Sequence, residues 1–370
     1  MKKRSATFLD KMVRLFALTL AVLLVLGFLA GRFDPREYKY IPFFGLAYPF
    51  ILFLNVLMIF WWCLRRRWFF AATTFGLILS GTQALNATFG LIGNGAEGPK
   101  AKPEHIRMMT YNVHGFRPYG SKSIDSVKHQ MLRLIAAEDP DVICFQEYYT
   151  RKKGPFDLTD SLKKILRTRH FYFEPSMQNE YEAYGLAIFS RFPIGEKGLI
   201  KFNDYYDGNA SIYADIVVRR QKLRVYNVHL QSISFQEQDY DYIDKVSKKM
   251  DPDIVPSRRI VSMLRRAFLK RAAQVDIMKA HMDTCATPFL IAGDFNDTPA
   301  SYAVTQLTRS LNNAFMEQGT GLGRTYNGKF PNFQIDYIAA TKAFKVLNYR
   351  IIPARLSDHF PVRSDLKLNL

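Results

Sequence analysis

Cysteine is nearly absent from this chain. Cys63, Cys144 and Cys285 are the only three in 370 residues, and so odd and scattered a set excludes a disulfide framework and gives no metal-ligand spacing. No His-x-x-x-His pair occurs either, which argues against structural zinc. Internal repeats and low-complexity segments are also missing, so repeat architectures drop out. The most informative absence is that of charge. Residues 15–30, 41–63 and 69–95 contain no charged side chain, and about 20 mostly apolar residues suffice to cross a bilayer. Three spans are expected, over residues 12–31, 41–64 and 68–90. The third is diluted by Thr73, Thr74, Ser80, Thr82 and Gln83. Two further apolar segments follow the first with no cleavage site, so a multi-span anchor is expected rather than a cleaved signal peptide. The spans hold no acidic residue, which leaves a transport function without its usual proton relay.

Charge distribution sets an orientation. Lys2, Lys3, Arg4, Lys11 and Arg14 precede the first span, and Arg65, Arg66 and Arg67 follow the second. Basic flanks stay cytoplasmic, so the chain is expected to leave the cytoplasm after the third span. The remainder would then be extracytoplasmic; if the third span did not insert, it would lie inside. The first 68 residues carry 11 of the 51 basic and 3 of the 33 acidic side chains, which leaves 40 against 30 and a net +10. A basic domain suits polyanionic substrates or an anionic lipid surface, although a solubility charge would look the same. Residues 94–103 form a Gly/Pro/Lys linker. The expected division is an anchor over 1–92, a linker over 93–104 and a catalytic domain over 105–370.

Within that domain, short apolar runs alternate with helical spacing. Strands are expected over residues 106–113, 141–146, 184–190, 211–218, 223–228, 288–292, 334–339 and 345–352, with a last one after Pro361. Helices are expected over 123–137 and 158–166, after Pro299, and over the long basic stretch 257–282. Apolar strands covered by helices or another sheet suggest an α/β sandwich. The C-terminal ends of these strands repeatedly carry polar residues. They are Asn112, Glu147, Asn227 with His229, Asp294 with Asn296, Asp336, and Asp358 with His359. Each alone has a bland reading as a turn former or solvated strand end. Together they form a set of oxygen ligands suited to Mg²⁺, Mn²⁺ or Ca²⁺, with two histidines for acid–base work. Hydrolysis at phosphorus is the natural reading.

Seven motifs in order carry a resemblance. They are Thr110-Tyr-Asn112-Val-His-Gly115, Phe145-Gln-Glu147, Gly185-Leu-Ala-Ile-Phe-Ser-Arg-Phe-Pro193, Asn227-Val-His229, Gly293-Asp294-Phe-Asn296, Ile335-Asp336-Tyr and Ser357-Asp358-His359-Phe-Pro-Val362. Over residues 104–370 the chain resembles the endonuclease/exonuclease/phosphatase superfamily. The resemblance implies a four-layer α-β-β-α sandwich of two packed mixed sheets flanked by helices, here preceded by about three transmembrane helices. It implies that Glu147, with Asn112 beside it, anchors Mg²⁺ (Mn²⁺ as the alternative), and that Asp358 helps. Asp294 and Asn296 would hold the attacking water and the phosphate. His359, oriented by Asp336, would act as base or transition-state stabiliser, and His229 would contact the phosphate or protonate the leaving oxygen. The acidic partner that deoxyribonuclease-like members place behind the His229 equivalent has no counterpart assignable here. Asn227-Val-His229 replaces the Tyr-x-Pro-Asn of abasic-site endonucleases, which disfavours DNA repair. The expected substrate is a phosphate ester in a lipid headgroup, an inositol phosphate or a nucleic acid, with the membrane as a partner and no obligate protein partner evident. The rival expectation is a catalytically silent membrane receptor that keeps the fold.

Overall fold

A computed structural model describes residues 8–95, 97–118, 123–233, 235–249, 254–328 and 332–369. The chain divides into two compact units, residues 1–88 with 298–306, and 89–297 with 307–370.

The first unit is helical. Helices α1 (Phe8–Leu29) and α2 (Ile41–Leu64) are long and apolar enough to cross a membrane. They approach closely where Gly27 faces Tyr48: a Cβ on that glycine would lie 2.9 Å from the tyrosine ring. The amide of Asn55 is buried between them and donates to the carbonyls of Ile51 and Leu20. The expected third span is not one helix. It breaks into α3 (Trp68–Ser80) and α4 (Thr82–Thr88), bent by 76°. The break falls at Gly81, pressed so close to Phe28 that a Cβ would meet the ring at 2.7 Å.

The second unit is a sandwich of two mixed sheets. In chain order its longer strands are β1 (Ile106–Asn112), β2 (Val142–Arg151), β3 (His170–Gln178), β4 (Glu182–Ser190), β5 (Ile194–Lys201), β6 (Ala210–Val218), β7 (Gln221–His229), β8 (Phe289–Asp294), β9 (Asp336–Ala340), β10 (Phe344–Val346) and β11 (Val362–Leu368). One sheet runs β10-β11-β1-β2-β4-β3, with Arg350–Ile351 also on β11. The other runs from Asn312–Asn313 through β9-β8-β7-β6-β5. The expected strand over 345–352 is therefore two pieces. Sequence patterning missed β3 and β5, which lie at the open edges of the two sheets and have mixed burial.

Side chains alternate along each strand, and the alternation builds the layers. From β1 and β2, Met108, Val142 and Cys144 face the other sheet's Ile212, Val225, Leu290 and Ile338 in a dry core. On the opposite face, Met109, Tyr111, Ile143 and Phe145 meet helices α5 (Ile124–Glu138) and α6 (Leu158–Leu166). The outer face of the second sheet is covered by the long basic helix, α8 (Ile254–Asp283), which follows α7 (Glu237–Lys249). Its His281 accepts or donates at the Tyr226 hydroxyl, 3.0 Å away, and its Arg271 pairs with Asp297 at 2.9 Å. The four-layer order α-β-β-α follows.

One polar side chain crosses the dry core. Asn227, fully buried on β7, donates to the carbonyls of Phe145 at 2.8 Å and Ala187 at 3.0 Å in the other sheet. Its Oδ1 accepts from Gln146 Nε2 at 2.6 Å. Those carbonyls are open because β2 bulges between Phe145 and Tyr148. Asn227 thus ties the sheets together and does not reach the rim where the sequence pattern had grouped it. Removing its amide strands two buried carbonyls, each worth a substantial desolvation penalty. Asn227→Ala is expected to cost about 2–4 kcal/mol, read as a fall of several degrees in the thermal unfolding midpoint; an unchanged midpoint would contradict the tie.

Candidate active site

Strand registers decide which polar residues meet. β8 runs parallel to β7 and pairs Asp294 with His229; it runs antiparallel to β9 and pairs Asp294 with Asp336. In the other sheet, β1 lies parallel to β2 and sets Asn112 beside Gln146. All these positions lie at one rim. The expected end of β8 at Gly293 is corrected: the strand continues through Asp294. Gly293 has φ +146°, and a Cβ there would sit 1.9 Å from the Val228 carbonyl oxygen. Only glycine lets β8 lie that close to β7.

Glu147 is a second correction. It does not end its strand, because β2 runs on to Arg151. The bulge places Glu147 at φ +53° and turns its carboxylate toward the rim, as bulges beside active sites commonly do. Asn296 and His114 also hold positive φ, at +52° and +47°. Three non-glycine residues in this conformation at one rim mark a site with stored backbone strain.

Asp294 is the hub. Its buried carboxylate accepts from Asn112 Nδ2 at 3.1 Å and from the Asn296 backbone N–H at 2.9 Å. His229 Nε2 and His359 Nε2 lie 3.7 and 3.6 Å from the same oxygen, Oδ2. Both gaps exceed a direct hydrogen bond, so the two rings and the carboxylate frame a small space. Burial raises the Asp294 carboxyl, and although both histidines oppose this it reaches about 6.

Each histidine is held from behind. His359 Nδ1 lies 2.9 and 3.1 Å from the two oxygens of Asp336. Burial alone would lower the His359 pKa, but Asp336 and Asp294 hold it well above the usual range. Asp336 is fixed in turn by its backbone N–H, which donates to Thr325 Oγ1. His229 Nδ1 lies 3.1 Å from the Gly208 carbonyl. A backbone carbonyl therefore takes the orienting place for which the sequence offered no acidic residue, and leaves Nε2 facing inward. Asn296 points elsewhere than expected: its side-chain amide donates to the Leu230 carbonyl, and only its backbone N–H serves Asp294.

Glu147 and Asp358 flank the other side. Asn112 Nδ2 reaches Glu147 Oε1 at 3.2 Å. His114, to which sequence reading gave no role, places Nδ1 3.6 Å from Glu147 Oε2 and 3.8 Å from Asp358 Oδ1. The Glu147 carboxylate holds the His114 imidazole above its ordinary pKa. Burial pushes Glu147 up, yet His114, His229 and a hydrogen bond from Tyr184 outweigh it and hold the carboxyl far below the usual range. Ser357 Oγ lies 2.9 Å from the Asn112 carbonyl and 3.0 Å from Asp358 Oδ1, and accepts the His359 backbone N–H. It locks the last motif onto β1. Ser357 opens the last motif and Tyr184 precedes the third, as the first residue of an expected strand, but nothing in their spacing gave them a role. Two carboxylates converging on one imidazole nitrogen, with an amide beside them, form a donor set that fits a hard divalent ion. Among the described residues, metal-ligand spacing is found at Asp294, Asp336 and His359, whose ligand atoms lie within 4.8 Å of one another.

A sequence model of the Endonuclease/Exonuclease/phosphatase family matches residues 109–359, a stretch that contains all eight expected site residues. Residues 10–88 match a domain of unknown function. No curated protein matches. Among solved structures, an endonuclease/exonuclease/phosphatase from Beutenbergia cavernae DSM 12333 superimposes with a TM-score of 0.51 at 19% identity, covering 72% of each chain. An endonuclease/exonuclease/phosphatase family protein from Bacteroides thetaiotaomicron gives 0.50 at 16%, over 73% of this chain and 100% of its own. The human Nocturnin catalytic domain with bound sulfate anion gives 0.50 at 15%, over 72% and 95%. At such identities the likeness is one of fold.

The His359–Asp336 pair makes a titratable prediction. A histidine whose folded pKa is raised adds stability that is complete below its unfolded value near 6.5 and fades as pH climbs through the folded value. In EDTA, ¹⁵N NMR is expected to find His359 doubly protonated at pH 7, and Asp336→Asn to lower its pKa. A neutral ring at pH 7 in the wild type would contradict the pairing.

Proposed function

The chain belongs to the Endonuclease/Exonuclease/phosphatase family, and we propose that it is a divalent-metal-dependent phosphoesterase tethered to a membrane by its N-terminal helices. The observation that carries this reading is the two-sided arrangement around Asp294. Carboxylates gather on one flank and inward-facing imidazoles on the other. Hydrolysis at phosphorus needs such an asymmetry, since one flank positions water while another neutralises the departing alkoxide.

Glu147 and Asp358, with Asn112, would hold Mg²⁺ or Mn²⁺. Bound there, the ion would act as a Lewis acid and draw charge from a phosphate oxygen. Asp294, held between Asn112 and the Asn296 N–H, orients the attacking water and takes its proton. His359, kept charged by Asp336, stabilises negative charge on the phosphoryl oxygens. His229, anchored at Gly208, faces the same space with Nε2 and donates to the phosphate or the leaving oxygen. Ser357 and Tyr184 are positioning residues for Asp358 and Glu147. The substrate is a phosphate ester of a lipid headgroup, an inositol phosphate or a nucleic acid.

The anchor reading rests on two helices apolar and long enough to span a bilayer, with the bent pair α3–α4 as a third crossing. Three crossings with basic flanks inside put the sandwich outside the cytoplasm.

Glu147→Gln, Asp294→Asn and His359→Asn each remove a charge with little change of shape. With the full chain in detergent and Mg²⁺ present, each is expected to lower hydrolysis of bis(p-nitrophenyl) phosphate by about 10²–10⁴-fold, with an unchanged circular dichroism spectrum. EDTA is expected to abolish the wild-type rate. Full activity in any of the three, or in EDTA, would refute these roles.

A further inference from the structure

The residues that follow α4 are not a free tether. Phe89 and Gly90 form a short antiparallel ladder that pairs Phe89 with Leu322 and Gly90 with Gly321. We propose that Phe89 and Gly90 are positioning residues of the active site: by gripping Gly321 and Leu322 they set the loop 319–328, which seats Asp336 and His359. The proposal rests on the phosphoesterase reading of that site and adds to it a segment remote in sequence from every motif.

The grip is close. A Cβ on Gly90 would lie 2.1 Å from the Gly319 carbonyl oxygen, and one on Gly93 would lie 2.3 Å from that of Gln318. Only glycine permits such an approach. The chain stays bound beyond the ladder. The Asn94 carbonyl accepts the Tyr349 N–H at 2.9 Å, and the Asn94 amide donates to the Leu347 carbonyl. Lys100 pairs with Asp141 at 2.6 Å. Residues 93–104, expected as a linker, therefore add contacts to the sandwich. Gly321 and Leu322 in turn depend on this partner. They belong to neither sheet of the sandwich, and among the described residues Phe89–Gly90 is the one strand they pair with.

From Leu322 the loop runs directly into the catalytic groups. Thr325 is wholly buried, and its Oγ1 accepts the backbone N–H groups of Ile335 at 2.9 Å and Asp336 at 3.0 Å. Its carbonyl accepts the Phe360 N–H at 2.6 Å. Tyr326 forms an isolated backbone bridge with His359, and its ring meets the imidazole at 75° with centroids 5.5 Å apart. Asn327 donates its backbone N–H to the Asp358 carbonyl and its side-chain amide to the Ser357 carbonyl. Thr325, Tyr326 and Asn327 thus hold Asp336 on one side and Asp358 with His359 on the other. They fix the distance between a carboxylate and the imidazole it keeps charged. A shift at Leu322 passes to all of these groups, and a misplacement of about 1 Å can cost about 10²-fold in rate.

The test uses the full chain in detergent with Mg²⁺ and bis(p-nitrophenyl) phosphate. Gly90→Ala drives a methyl group against the Gly319 carbonyl and is expected to lower kcat by about 10- to 100-fold, with KM held within about twofold. Gly95→Ala places its methyl in open space and is expected to match the wild type. Residues directly opposed on antiparallel strands have Cα atoms about 4.5–5.5 Å apart, within reach of a disulfide. Phe89→Cys with Leu322→Cys is therefore expected to cross-link on oxidation. Added to Gly90→Ala, the cross-link is expected to draw Leu322 back and recover most of the lost kcat, and dithiothreitol to abolish the recovery. A ladder that merely stabilises the fold would move the unfolding midpoint and give no such redox-switched kcat. An unchanged kcat in Gly90→Ala, a cysteine pair that does not cross-link, or a cross-linked chain without activity would overturn the proposal. Should Gly90→Ala not fold, the cysteine pair in the otherwise unaltered chain decides: full activity with the ladder held shut upholds the grip, and lost activity overturns it. Hydrolysis by the wild type keeps the two readings distinct. Its absence would sink the phosphoesterase and this role with it, whereas wild-type hydrolysis with an indifferent Gly90→Ala would sink the grip alone.

Discussion

A carboxylate buried where two sheets meet must find its partners in both. Asp294 does so. Its own sheet supplies His229 and, through Asp336, the setting for His359; the other sheet supplies Asn112. The cost of isolating a charge in so dry a place is severe, and the site consists of the groups that offset it. Without the close seating of β8 on β7 at Gly293, the register that delivers Asp294 to this point would not exist. The tie through Asn227 then keeps the second sheet opposite the first, so that Asn112 meets Asp294.

The same carboxylate separates two kinds of acidic group. Glu147 and Asp358 lie on the His114 side and are part-exposed, with lone pairs available to a cation. Asp336 lies on the far side and is committed to His359. The cluster of Asp294, Asp336 and His359 has spacing suited to a metal. Its chemistry speaks against one, because an imidazole held charged by two carboxylates has no free lone pair to give. In the proposed reading, a cation belongs on the Glu147 flank and a proton on the Asp336 flank.

Much of this was legible in the chain. Period-two patterning and the order of the motifs pointed to the sandwich, and seven of the eight expected site residues bring their side chains to one rim. The exception is Asn296, which meets Asp294 through its backbone N–H while its side chain turns to Leu230. What stayed hidden depends on contacts between distant segments. Edge strands β3 and β5 lack a continuous apolar run. The bulge at Glu147 depends on how β2 pairs with β4, which no local pattern encodes. Asn227 looked like its neighbour His229 and shares its face of the strand, yet it lies two residues deeper, where it meets the other sheet's carbonyls instead of the rim. The partner of His229 is a backbone carbonyl, Gly208, and any residue could have supplied it. His114 has no periodic signature, and its place between two carboxylates arises only after residues 112, 147 and 358 have met.

The measurement that tests this division most directly is anomalous diffraction at the manganese edge from crystals of the chain grown with Mn²⁺. The account expects a peak within ligand distance of Glu147 and Asp358, with Asp336 still bonded to His359. A peak seated instead among Asp294, Asp336 and His359 would contradict it, because the metal would then occupy the flank assigned here to the charged imidazole.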